Sequence, residues 1–571
     1  MLRNKFTYVV IGFLALHAAL LSTSMRRNFV TVDETGHIPS GLAYWQTGSF
    51  AAYRVNPPLP RLLAVLPILG AAHTNYSIPK DFPGARSEWY LARAFAEANR
   101  EHYFELVCLT RWAGVAWSLL GGVLIFLWAK DLFGPLAACL GLVLWCLEPT
   151  VLAHAGLATT DVPAAVMGLA ACYLFRNYLR QPTWTKAWFA GLLLGLAQLT
   201  KFTLLALYPL WLLLAVLFWW GRREGRLRTR LAQGLVILAA SLLTIHVGYG
   251  FENSFQRLGD FSFVSKAFQG ESSSNRFAET IWANVPMPVP ANFILGLDSQ
   301  RHDFESRWPV YLGGEWREGG WWYFYPYAFG VKLPLGTLIL LAISFVLAFR
   351  KEARAGWREE CALLVPGLGL LALVIWQSNI QNLRYALPAF PFLFIWVSRI
   401  ACVGKKSHGR LLAALLVAGL LLWNAWNCLA IHPHYLSYFN EIAGGPENGP
   451  DHLVDSNQDW GQDLLFLNAW LDEHPEVRPL GLAYFNIFDP RLLGIDYFLP
   501  PFAPKNKSTN FRPKPGYYAV STHFVRGGSF SAPDGKGRWM TVPLHGYEYF
   551  QEFKPIAKAG YSILIFQITQ K

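Results

Sequence analysis

Residues 203–250 read TLLALYPLWLLLAVLFWW (203–220), GRREGRLRTR (221–230) and LAQGLVILAASLLTIHVGYG (231–250). Two apolar runs without a single Asp, Glu, Lys or Arg flank a short connector that carries five arginines. Crossing a ~30 Å hydrocarbon core takes ~20 apolar residues, which is close to the length of each run. Arginines in a short connector stay on the cytoplasmic side of a membrane. The stretch therefore reads as a transmembrane hairpin with its turn inside.

The pattern repeats outward from there. Apolar runs fall at 6–23, 105–128, 133–151, 162–178, 187–202, 203–220, 231–250, 327–349, 361–378, 385–400 and 411–430, eleven in all. Basic residues gather between alternate runs. Arg3 and Lys5 precede the first, Arg176, Arg180 and Lys186 follow the fourth, and Arg222, Arg223, Arg226, Arg228 and Arg230 follow the sixth. Arg350, Lys351, Arg354 and Arg358 follow the eighth, and Arg399, Lys405, Lys406 and Arg410 the tenth. One crossing per run puts every cluster on one side, which predicts a cytoplasmic N-terminus and an external C-terminus. The net charge of +12 is then a topology signal and implies no nucleic acid. The first run lacks a small-residue cleavage site and reads as a retained helix. All seven cysteines lie in or beside the runs, so no disulfide framework is implied.

These features predict an all-α polytopic membrane protein of about eleven transmembrane helices, with a large first external loop and a small external C-terminal α/β domain. Residues 1–430 form the transmembrane part, with external loops at 24–104 and 251–326, and 431–571 form the C-terminal domain. In the first loop, Pro58–Ala72 is too short and proline-broken to cross and reads as interfacial or re-entrant. Residues 85–101 set Arg86, Arg93, Glu97 and Arg100 opposite Leu91, Phe95 and Ala98, an amphipathic helix for the membrane surface or for the protein's own external domain. Beyond 431, short strand-like runs at Gly481–Phe485, Tyr517–Ser521 and Tyr561–Gln567 alternate with turn signals.

Chemistry is expected on the external face. Asp33-Glu34, with His37 one turn on, follows the first run directly. An acidic pair favoured by a helix N-terminus is the plain alternative, and the spacing fits no strong zinc signature. Asp161 stands where the third run yields to the fourth, either capping that helix or serving function. Arg111, inside the second run, needs an anionic partner, for which Asp161 and Glu148 are candidates. Arg54, Arg61, Lys332 and Arg384 bring cations to the same face, where interfacial snorkelling competes with anion binding. Carboxylates beside cations at a membrane surface suit a transferase whose donor is a lipid phosphate.

These residues carry a resemblance to the C-type superfamily of membrane glycosyltransferases, in the family 39 group that includes protein O-mannosyltransferases and lipid A aminoarabinose transferases. Asp33-Glu34, Asn56-Pro57-Pro58-Leu59-Pro60-Arg61, Thr159-Thr160-Asp161, Gly195-Leu196-Ala197-Gln198-Leu199-Thr200-Lys201 and Asn382-Leu383-Arg384-Tyr385-Ala386-Leu387-Pro388 match in order across roughly residues 1–400. Arg61 stands where the family usually has Lys, and Asn56 where it has His. The resemblance implies Asp33 as catalytic carboxylate, supported by Glu34, with Asp161 holding the acceptor or ordering the basic residues. Arg61, Arg111, Lys332 and Arg384 are then expected at the donor phosphate, and His37, Asn56, Asn382 and Tyr385 near the sugar or acceptor. The implied partners are the bilayer, a polyprenyl-phosphate-linked sugar and a protein or lipid acceptor. The implied setting is a bacterial inner membrane.

Trp322 and Tyr323, before the eighth run, are interface-belt residues or sugar-stacking faces. Asp455-Ser-Asn457-Gln-Asp459-Trp460-Gly461-Gln462-Asp463 imitates a calcium loop but puts Trp460 where the turn glycine belongs, so Asp459 and Trp460 stay as candidate acceptor or sugar contacts. No metal site is predicted, no cofactor is demanded, and a divalent metal is left open. The competing class is a transporter or lipid flippase, which would carry its ionisable groups at the midplane of a repeated fold.

Overall fold

In the computed structural model, which describes residues 2–73, 86–221, 227–271, 274–377, 379–402, 410–504 and 511–569, seventeen helices account for the N-terminal three quarters of the chain. They run α1 (Leu2–Ser24), α2 (Val32–Thr47), α3 (Leu59–Ala64), α4 (Glu88–Ala98), α5 (Tyr103–Phe133), α6 (Pro135–Leu147), α7 (Pro149–Ala155), α8 (Asp161–Arg180) and α9 (Trp184–Gln198). There follow α10 (Leu207–Trp219), α11 (Leu227–Gly248), α12 (Ala291–Glu305), α13 (Phe324–Lys332), α14 (Leu335–Leu347), α15 (Trp357–Trp376), α16 (Phe390–Val397) and α17 (Arg410–Ala430). The basic residues Arg222, Arg223, Arg226, Lys405 and Lys406 lie outside the described residues, as does part of the first expected loop.

Among the described residues eight helices are long and apolar enough to cross a membrane, or ten if two bent pairs each make one span. Prolines explain both bends. Pro149 and Pro334 lack an amide hydrogen and push the preceding residue out of helical geometry, so Glu148 and Leu333 are extended. The chain turns by 61° between α6 and α7 and by 119° between α13 and α14. The fifth expected crossing, 187–202, is the one of the eleven that is not among these ten. Helix α9 has only 15 residues, about 22 Å at 1.5 Å per residue, because the chain opens to an extended conformation at Lys201.

Helix α8 is the centre of the bundle, with 83% of its span buried against 17% for α1 and α17. Leu212, Val216, Leu235, Phe345, Leu368, Leu411 and Leu415 remain exposed on the periphery, as a lipid-facing surface requires. At the end of α8 remote from Asp161, Arg176 pairs with Glu359 and Asp131, and Arg399 with Glu360.

Helix α4 packs on protein. Leu91 and Phe95 are buried, Arg86 bridges Glu88 at 2.8 Å and Asp303 at 2.6 Å, and the Arg93 guanidinium sits 3.9 Å from the Trp539 ring. The membrane-surface reading of 85–101 gives way to the alternative, a helix packed on the rest of the chain.

A hairpin of β1 (Pro309–Leu312) and β2 (Glu315–Glu318) precedes α13. The C-terminal part holds β3 (Leu480–Ala483), β4 (Tyr497–Phe498), β5 (Gly516–Ser521), the paired β6 (Phe530–Pro533) and β7 (Trp539–Val542), β8 (Ala557–Ala559) and β9 (Ile563–Ile568). Five of them form a mixed sheet in the order β4-β3-β5-β9-β8, with β4, β3 and β5 parallel and β9 antiparallel to both neighbours. The sheet shares one apolar core with the first loop: Phe29, Val30, Ile38, Phe95 and Tyr103 pack with Leu464, Leu480, Phe488 and Ile565. Backbone bonds from Phe29 N to Gln462 O (2.7 Å) and Val32 N to Trp460 O (3.1 Å) join the two regions.

Candidate active site

Helix α2 opens with a capping box in which Thr31 and Glu34 satisfy each other's ends. Consecutive residues on a helix point about 100° apart, and the two carboxylates diverge accordingly. Glu34 turns inward and Asp33 outward.

Glu34 is fully buried and grips Arg111, with Oε1 accepting from Nε at 2.8 Å and Oε2 from Nη2 at 2.7 Å. Arg111 gives its remaining N–H groups to the carbonyls of Met25, Asn28 and Phe29. A guanidinium has five N–H donors, and here all five are used. Arg111 is thus a structural cation paired to Glu34, not to Asp161 or Glu148, and has no N–H left for a phosphate. Glu34 correspondingly has both carboxylate oxygens engaged by Arg111, Thr31 and Ala158. Burial pushes its carboxyl up, but the charge and hydrogen bonds of Arg111, with the Thr31 and Ala158 amides, outweigh that and hold it below its ordinary value. The 3.0 Å bond from Ala158 N to Glu34 Oε1 also ties α2 to the turn that leads into Asp161.

Asp33 and Asp161 meet at Arg384. The Nη1 of Arg384 donates to Asp33 Oδ2 at 2.6 Å and lies 3.6 Å from Asp161 Oδ2. Asp161 Oδ1 accepts from Lys201 Nζ at 2.5 Å. Lys201 stands at this spot because α9 ends early, and its ammonium lies 4.8 Å from the centre of the Tyr385 ring. Side-chain exposure separates the two carboxylates, 22% for Asp33 and 1% for Asp161. Asp33 is reachable from outside, while Asp161 orders the two cations. Among the described residues the Nη2 of Arg384 makes only a long 3.4 Å contact with the Tyr385 hydroxyl. Unlike Arg111, this guanidinium therefore keeps an N–H with which to bind an anion.

The other expected residues divide into neighbours and remote groups. His37 is buried, its ring 4.8 Å from that of Tyr53, and burial takes its imidazole down to about 4. It is a neutral wall of the site. Arg61 donates to the carbonyls of Tyr53, Asn56 and Pro57, beneath the Tyr53 ring, and Asn56 bonds the Tyr53 hydroxyl. Lys332 is buried on the carbonyls of Leu436 (2.8 Å) and Asn457 (2.6 Å), with its ammonium 4.3 Å from the Phe439 ring. Both cations hold backbone. Trp322 is 78% exposed, and Tyr323, the residue before α13, packs its ring against Trp321 and Trp322. Asp459 accepts from Gly461 N and His523 N inside the C-terminal part, where burial takes its carboxyl up to about 7. Among the described residues no group of three His, Cys, Asp or Glu could hold a metal ion.

Two contributors escaped the sequence reading as site residues. Lys201 was visible as the last residue of the Gly195–Lys201 motif. Ser456, whose Oγ accepts from Arg384 Nε at 3.1 Å, was visible only as part of the Asp455–Asp463 string. Trp460 lies with its ring 4.3 Å from the Arg384 guanidinium carbon.

Residues 108–249, from α5 through α11, match the family model described as dolichyl-phosphate-mannose-protein mannosyltransferase. No curated protein matches the chain. Among solved structures the chain is similar to ArnT from Cupriavidus metallidurans in the apo state, at 14% identity and a TM-score of 0.48 over 98% of each chain. It is also similar to the archaeal oligosaccharyltransferase AglB from Archaeoglobus fulgidus in complex with an inhibitory peptide and a dolichol-phosphate, at 11% identity and a TM-score of 0.47, over 95% of this chain and 78% of that one. A third is the S. cerevisiae protein O-mannosyltransferase Pmt1-Pmt2 complex bound to the sugar donor, at 10% identity and a TM-score of 0.46, over 89% and 95%. The family match over residues 108–249 takes in two of the stretches that carry the motif resemblance, Thr159-Thr160-Asp161 and Gly195–Lys201.

Proposed function

We propose that this protein transfers a sugar from a polyprenyl-phosphate donor to a protein or lipid-linked acceptor, at the non-cytoplasmic face of a bacterial inner membrane. The observation that carries this reading is the accessible Asp33 carboxylate held on Arg384, which is in turn flanked by the buried Asp161–Lys201 pair. A transferase of this kind needs a carboxylate open to the acceptor and a cation for the departing phosphate.

In this mechanism an acceptor hydroxyl oxygen attacks the anomeric carbon as the bond from that carbon to the phosphate oxygen breaks. The configuration inverts. The hydroxyl proton passes to Asp33, and the bonding electrons leave on the polyprenyl phosphate, whose charge meets the N–H groups of Arg384. Asp161 stays behind both cations and keeps Lys201 and Arg384 within one ionic cluster. For an acceptor that is itself a phosphate, Asp33 positions the nucleophile without taking a proton.

The purified protein, given polyprenyl-phosphate-linked sugars and candidate acceptors, is expected to transfer sugar. Asp33→Asn is expected to lower turnover by about 10²-fold or more, with a modest shift in the thermal unfolding midpoint from the lost Arg384 ion pair. The same assay with a chelator scores any divalent-cation requirement. Turnover indifferent to Asp33→Asn removes Asp33 from the mechanism, and failure to transfer with every donor favours the transporter.

A further inference from the structure

The turn Asp455–Trp460 comes from the C-terminal part of the chain, yet it is buried against the membrane helices. Ser456, Asn457 and Trp460 are each less than 5% exposed. Three sets of bonds hold it there. Asn457 donates to Asn382 Oδ1 at 2.8 Å, accepts from Leu383 N at 2.9 Å, and its carbonyl takes Lys332 Nζ at 2.6 Å. Residues 382 and 383 immediately precede Arg384, so the turn is fixed to the backbone that carries the guanidinium.

The turn is shaped for this contact. Asp455 sits at φ +58, a left-handed conformation that Asp tolerates because its side chain can bond locally. Its Oδ1 accepts from Ser456 N at 2.6 Å, and its carbonyl accepts from Gln458 N and Asp459 N. The reversal throws Ser456 and Trp460 toward Arg384 together. Ser456 Oγ accepts from Arg384 Nε, and the indole covers the guanidinium.

Trp460 also reaches the other side of the ion pair. Its carbonyl accepts from Val32 N at 3.1 Å, one residue before Asp33. A single residue therefore touches both elements that present the Asp33–Arg384 pair, through its backbone on one side and its ring on the other.

We propose that the Asp455–Trp460 turn is the positioning half of the site, with Ser456 and Trp460 acting through Arg384 to set its distance from Asp33. A cation that must meet a departing phosphate contributes only in the right place, and a displacement of about 1 Å can cost roughly a hundredfold in rate. This inference rests on the transferase reading of the same site.

The test uses the full chain with Trp460→Phe, Trp460→Leu and Ser456→Ala, each alone and combined with Asp33→Asn. Trp460→Leu is expected to lower kcat by about tenfold or more at nearly constant donor KM. Trp460→Phe, which keeps a ring over the guanidinium, restores most of the rate. In thermal unfolding, the shift caused by Asp33→Asn is expected to shrink in the Trp460→Leu background, since coupled residues give non-additive effects. Should Trp460→Leu fail to fold, Ser456→Ala, which removes one oxygen, carries the same two measurements. Equal rate losses for Phe and Leu, or additive thermal shifts, overturn the proposal. If the wild type transfers no sugar with any donor, the transferase reading falls, and the thermal cycle still decides whether the turn acts through Arg384.

Discussion

Glu34 and Asp33 are neighbours in sequence with opposite fates. The adjacent acidic pair was readable as a feature that needs a reason, but sequence offers no way to see that Arg111, 77 residues away, saturates one member. Nor does residue type distinguish Arg111, whose N–H groups are all used, from Arg384, which keeps one. Removing one partner of a buried ion pair leaves an uncompensated charge and costs about 3–5 kcal/mol, whereas replacing both with apolar groups is often neutral. Glu34→Gln is therefore expected to lower thermal stability sharply, and the apolar pair Glu34→Leu with Arg111→Met to recover part of it. The pair also sets a pH dependence. Glu34 is held below its unfolded value of ~4.3, so its stabilising contribution is complete above that value and is lost as pH falls through the folded one. A thermal midpoint measured from pH 7 to pH 3 should drop at the acid end in the wild type, and that part of the drop should be absent from the double variant.

At the scale of single elements, the apolar runs predicted most crossings within a few residues, because length and hydropathy are local properties. Two features stayed hidden for a common reason. The apolar run at 187–202 continues past the end of α9, and hydropathy does not register that the helix must open to deliver Lys201. Likewise, the amphipathic pattern of α4 shows that one face is apolar without showing what covers it. The short α9 is braced along α11 through glycines. A Cβ on Gly195 would lie 2.6 Å from the Ser241 carbonyl oxygen and 2.5 Å from Thr244 Cβ, so the helices approach as only glycine allows. Gly195→Leu is expected to cost about 1–3 kcal/mol through overpacking and to pull Lys201 off Asp161. It should therefore depress transfer more than an equally destabilising change on the exposed, lipid-facing side of α17. Thermal unfolding and turnover of the two variants make the comparison.

Across the whole molecule, the division at residue 430 is a change of composition rather than a mechanical boundary. The aromatic packing of Phe29 on Phe488, with ring centres 4.9 Å apart, and the seat of Lys332 on Leu436 and Asn457 both cross it. Such pairings are long-range contacts, and no local pattern in the chain announces them. A chain ended after Ala430 should leave the Lys332 ammonium buried without its carbonyls, and is expected to elute from detergent size-exclusion as aggregate where the full chain elutes as one symmetric peak. The placement of Ser456 and Trp460 has a further consequence in time. Synthesis runs from the N-terminus, so the turn leaves the ribosome only after the candidate spans described above, which end at Ala430, have been made. Until then the carboxylates and cations of the bundle stand without the indole and hydroxyl that cover Arg384. A nascent chain carrying these membrane helices would thus still be immature, its ionic cluster completed only when the turn arrives.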